Sequence, residues 1–163
     1  MKITPTRGNI IRIDYSEPWE AQLQSGNFDN EWKNGNIITE ERFPIVGEGI
    51  NEYEFCYFQF IHRPVSSETV LGLIKKEDLE NPWEPAKIEH LIAFSKQFSR
   101  EPGRKYYLIA LGSIGQSFNL NIVTQVFTSM HTCKLLFVTL DGLWDNENFY
   151  FLAVRKIIRP PVV

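Results

Sequence analysis

Apolar and polar positions define the chain's longest strand-like stretch over 53–63, where a period of two puts Tyr53, Phe55, Tyr57, Gln59 and Ile61 on one side and Glu54, Cys56, Phe58, Phe60 and His62 on the other. Aromatic and β-branched residues dominate it and no helical stripe fits, so it predicts a long central strand. Neither side is polar enough for open water. Such a strand lies inside a sheet covered on both faces, by a helix, a second sheet or a partner chain. Pro64 ends it, because proline has no N–H to give to a ladder.

Ahead of this strand, 9–15 alternates as a first strand, 19–24 suits one helical turn or two, and 25–35 reads as a polar surface loop pinned by Phe28 and Trp32. Ile37 and Ile38 begin a further strand, and 42–49, broken by Pro44, Gly47 and Gly49, fits an edge strand or an extended connection. Beyond Pro64, the apolar run 69–74 reads as a buried strand reached through a hairpin turn at 66–68, antiparallel to the long one.

One stretch carries a clear helical period. Pro85 suits a first helical position, and Ile88, Leu91, Ile92, Ser95 and Phe98 recur on one side. Lys87, Glu89, Lys96 and Gln97 lie outside that stripe, and His90 projects opposite Ile88 and Leu91, onto what reads as a solvated face. Glu101, Pro102 and Gly103 stop the helix. Four strands follow at 106–111, 120–128, 133–140 and 149–158, joined by turn formers at 112–116, 129–132 and 141–148, and the chain closes on a frayed tail.

These elements predict one α+β domain over 1–163. A largely antiparallel, twisted sheet of about seven or eight strands, with a C-terminal four-strand meander, packs against one long helix at about 85–98.

Composition narrows the class further. The 163 residues make about one domain, and aromatics at 13%, twelve of them Phe, favour strands around a bulky core. A net charge of −3 supplies no excess positive field to hold a phosphate backbone, so nucleic acid is not an expected partner. No apolar run reaches the roughly 18 residues of a membrane helix, and 1–5 lacks a signal-peptide core, so the expected setting is cytoplasmic, without membrane contact. Cys56 and Cys133 sit in apolar strand settings and read as buried thiols rather than a disulfide framework.

Each of the four tryptophans stands beside an acid: Trp19 with Glu20, Trp32 with Glu31, Trp83 with Glu84, and Trp144 with Asp145. A flat indole next to a carboxylate can stack on a ligand while the acid accepts hydrogen bonds; the plainer reading is a loop anchor whose ring covers a sheet end. His62, His90 and His131 lack metal-site spacing, since His131 with Cys133 gives two ligands at most. No metal or other cofactor is expected. Residues 112–115 lack both the spacing of a nucleophile elbow and the lysine of a phosphate loop, and read as a hairpin turn. Asp141, Asp145 and Glu147 read as a solvated acidic loop.

Two functional readings remain. The first is a non-catalytic protein-interaction module or homo-oligomeric binding protein, because two-sided apolar strands with one covering helix leave hydrophobic area for a partner or a second copy. The second is a small-molecule-binding protein or enzyme with a pocket between sheet and helix, lined by Trp83, Trp144, Asp145, Glu54 and His62. Glu54 decides much in that reading: unpaired in a cleft it is an acid or base, and beside Arg63 or Lys105 it is structural.

Overall fold

The computed structural model describes residues 1–29, 37–61, 63–98, 105–129 and 132–162, with 2–8 described as backbone. Its elements run β1 (Lys2–Asp14), α1 (Trp19–Ser25), β2 (Ile50–Gln59), β3 (Val65–Ser66), α2 (Ser67–Lys76), β4 (Glu84–Pro85), α3 (Ile88–Phe98), β5 (Tyr106–Ser117), β6 (Leu120–Ser129), β7 (Thr132–Thr139), β8 (Leu143–Trp144) and β9 (Phe149–Lys156). The fold is α+β, a mixed but mostly antiparallel seven-stranded sheet with helices packed on it.

Strand order is β1-β2-β9-β5-β6-β7, with β4 also pairing β9 and a separate two-stranded ladder of β3 with β8. The meander consists of β5, β6 and β7. The fourth strand of that C-terminal run, β9, returns to the middle of the sheet, antiparallel to β2 and parallel to β5. It puts Phe55 opposite Val154, Cys56 opposite Ala153 and Phe58 opposite Phe151. β2 is therefore an interior strand, as its two apolar sides require.

Those two sides feed two cores. Phe55 joins Ile11, Ile13, Leu108, Ile122, Leu152 and the inner side of α3, while Cys56, Phe58 and Phe60 join Val70, Ile74, Ile109, Phe151 and Trp144. The chain itself thus covers both faces of the sheet, one with α3 and the other with α2 and the β3–β8 ladder.

Several local expectations change. Residues 69–74 are helical within α2, because Ser66 is its N-cap: the Ser66 hydroxyl accepts the Thr69 N–H at 3.2 Å, Glu68 sits in the first turn and Lys75 and Lys76 in the last. The serine read as a turn former starts a helix instead, and Val70 and Ile74, four apart, make its buried side. Ile37 and Ile38 form no strand. Trp32 lies outside the described residues.

Residues 112–116 are not a hairpin turn but part of β5, which carries a register shift between Ala110 and Ile114. Gly112 is required there, since a Cβ would lie 2.4 Å from the Pro85 carbonyl oxygen. That approach lets the Gly112 N–H donate to the Ala86 carbonyl at 2.7 Å. The turn itself falls at Phe118 and Asn119, both at positive φ (50° and 62°), as in a two-residue hairpin turn.

No helix among the described residues is long and apolar enough to cross a membrane.

Candidate functional site

The strongest departure from expectation is on α3. Residues Ile88 through Ser95 are all buried, including Glu89 at 2% exposure and His90 at 4%. The side expected to meet water is covered by α1 and by Tyr15 and Tyr53. Leu91, Ile92, Ala93 and Phe94 in succession already exceed a single apolar stripe, the signal from which a helix covered nearly all round is read.

Glu89 and His90 occupy the first turn of α3, and its start is built from three directions. Lys87 accepts the Leu91 N–H, the Ser113 hydroxyl accepts the Ile88 N–H at 3.0 Å, and His90 Nδ1 reaches back to accept the Lys87 N–H at 2.9 Å. The last of these is the inner arm of a capping box with histidine in the usual glutamate position. Since Nδ1 accepts, the imidazole is neutral with its proton on Nε2, which has no hydrogen-bond partner among the described residues. The ring meets Tyr53 edge-on with centroids 4.6 Å apart. Burial, and then the nearby Lys87 charge, hold the His90 pKa down at about 3.

Tyr15, Lys87 and the local backbone N–H favour the charged form of the Glu89 carboxyl, yet burial outweighs them and pushes its pKa above the ordinary carboxylate range. Tyr15 and Tyr53 hydroxyls lie 2.9 Å apart. Burial raises the pKa of both phenols. Glu89 Oε2 has no hydrogen-bond partner among the described residues.

Glu89 lines a cleft of about 300 Å³ where β1, α1 and α3 meet. Its other walls come from Arg12, Ile13 and Asp14 of β1, Glu17, Gln22 and Ser25 around α1, and Ile92, Ala93, Lys96 and Gln97 of α3. That volume is at the lower end of the roughly 300–1,000 Å³ seen for small-molecule sites. Asp14 is already engaged, its Oδ1 accepting the Ser16 N–H at 3.0 Å and the Ser16 hydroxyl at 2.6 Å. Arg12 and Lys96 are exposed and make no ion pair among the described residues.

The residues singled out from sequence lie elsewhere. Trp144 is buried under α2, its indole N–H donating to the Ser67 hydroxyl at 2.9 Å and its ring edge-on to Phe149 and Phe151, while Asp145 beside it is exposed. Glu54 and Trp83 do meet, on Arg155: the Arg155 Nε donates to Glu54 at 2.7 Å and the guanidinium stacks 4.3 Å from the Trp83 ring centroid. Arg155 Nη1 also donates to Asp78 at 3.0 Å and to the Asn81 carbonyl at 3.3 Å, so these groups clamp the loop ahead of β4 to β9. His62 lies outside the described residues.

Cys56 and Cys133 are buried and not joined in a disulfide, and burial pushes the Cys56 thiol up to about 12, far from a reactive thiolate. No group of three or more metal-binding side chains occurs among the described residues. Comparison with protein families, curated proteins and solved structures finds no match.

Proposed function

We propose that this protein binds a small polar ligand in the cleft between β1, α1 and α3, through a hydrogen-bond donor or cationic group of the ligand that meets Glu89. The observation that carries this reading is Glu89 Oε2: a carboxylate oxygen in a residue 2% exposed, at a cleft, with no protein partner among the described residues. An unpaired buried acceptor costs roughly 1–3 kcal/mol, and more for a charged group. A ligand cation or donor beside the carboxyl offsets that cost. Calorimetric titration with a primary alkylammonium, hexylamine, tests the reading: binding to the wild type that is lost in Glu89→Gln supports it, and equal binding or no binding by both opposes it.

One observation favours an interaction module as a second reading. At the β5–β6 turn, Phe118 is 88% exposed, and Ile114 and Leu120 beside it are also exposed. An exposed apolar cluster of this kind is a surface that a partner can cover. Light scattering over a concentration series supports this reading if mass rises with concentration and Phe118→Ser abolishes the rise.

A further inference from the structure

We propose that the ligand of the Glu89 cleft is a zwitterion whose ammonium and carboxylate are separated by a short aliphatic chain, an ω-amino acid in chemical class. This rests on the binding role argued above. The cleft wall contributed by α3 is ordered along the helix. Glu89 stands at one end, Ile92 and Ala93 follow three and four residues on, and Lys96 and Gln97 stand at the other end. Residues at these spacings share one helical face, and seven residues of rise separate the carboxyl and ammonium positions by about 10 Å.

Along that face the order is a buried acid, an apolar middle and an exposed base. A ligand with the reverse order matches each part: its ammonium meets the Glu89 carboxyl, its methylenes lie on Ile92 and Ala93, and its carboxylate meets Lys96. Arg12 on the β1 wall adds a second base without an ion pair among the described residues. The acids on that side are less able to oppose the carboxylate, because Asp14 is held by Ser16 and Glu17 is exposed at the rim, screened by water.

Neither half of such a molecule uses the whole wall. An alkylamine leaves Lys96 unmatched, and an alkyl carboxylate leaves Glu89 without its donor and faces a like charge.

The experiment compares 6-aminohexanoate, hexylamine and hexanoate by calorimetric titration at neutral pH and low salt, on the wild type, Glu89→Gln and Lys96→Gln. Thermal melting of each variant confirms folding, and Lys96 is exposed, so its replacement leaves the core intact. The expected result is 6-aminohexanoate binding about tenfold tighter than hexylamine, the worth of one added charge-assisted contact, with hexanoate weakest. Lys96→Gln removes the tenfold advantage and leaves hexylamine unchanged, whereas Glu89→Gln weakens both amines.

Equal binding of 6-aminohexanoate and hexylamine, both sensitive to Glu89, overturns the zwitterion and leaves the binding cleft standing. Absence of binding by both amines overturns the two proposals together.

Discussion

The hydroxyls of Tyr15 and Tyr53 lie 2.9 Å apart, from positions 38 residues distant in the chain, and their pairing sets the roof over the first turn of α3. Beneath it lie Glu89, whose titration Tyr15 influences, and His90, which meets Tyr53 edge-on. Two neighbouring residues of one helix turn thus have opposite titration behaviour imposed by the same burial.

For Glu89 the folded pKa is raised. Between the ordinary glutamate value near 4.3 and that raised value, the folded state keeps a proton the unfolded chain has lost, so stability falls as pH rises through the window. Glu89→Gln removes the titrating carboxyl and this cost with it. At neutral pH we expect it to be more stable, on the order of 1 kcal/mol in urea denaturation, while losing alkylammonium binding. A less stable Glu89→Gln protein contradicts the assignment of a strained buried carboxyl.

For His90 the folded pKa is depressed to about 3. The unfolded chain takes up a proton below about 6.5 and the folded state does not until about 3, so stability falls as pH drops through that window, by up to about 1.4 kcal/mol per unit. Tyr53, Lys87 and Glu89 are the titratable neighbours, and in a Glu89→Gln background the opposing slope is gone. His90→Gln keeps an acceptor for the Lys87 N–H and loses the titration, which flattens the acid limb in that background. An unchanged limb places the proton uptake elsewhere.

Trp144 is an anchor. Trp144→Ala opens a cavity beside Phe149 and Phe151 and removes the indole N–H that the Ser67 hydroxyl accepts, which costs about 3–5 kcal/mol in equilibrium unfolding. A change below about 1 kcal/mol, the range of ordinary surface positions, sinks this role.

The Gly112 bulge links β5 to the start of α3. Gly112→Ala forces a Cβ against the Pro85 carbonyl and costs about 1–3 kcal/mol. Ser113→Ala removes the Ile88 N–H acceptor and costs about 1 kcal/mol. Both shift thermal melting downward, and a neutral Gly112→Ala refutes the close approach.

The strand faces were legible because period two separates Phe55 from Cys56 without ambiguity, and the structure sends them to opposite cores. Residues 69–74 were not, because a six-residue, mostly apolar run satisfies strand and buried helix alike, and the serine cap that decides between them also serves in turns. Sequence adjacency could not place β9, since its partners β2 and β5 are set by long-range pairing. The candidate site was hidden for the same reason: Tyr15, Tyr53 and Glu89 meet through the sheet edge, and Glu89 reads as a surface acid until α1 covers it. Trp83 and Glu54 were singled out as ligand-facing, and their partner proved to be Arg155.

A carbon-13 NMR titration of the Glu89 carboxyl, in free protein and with saturating 6-aminohexanoate, reads the buried acid and its ligand together. The expected result is a pKa above the ordinary glutamate range in the free protein, and a fall when an ammonium pairs with the carboxylate. An ordinary value in the free protein, unmoved by the ligand, contradicts it.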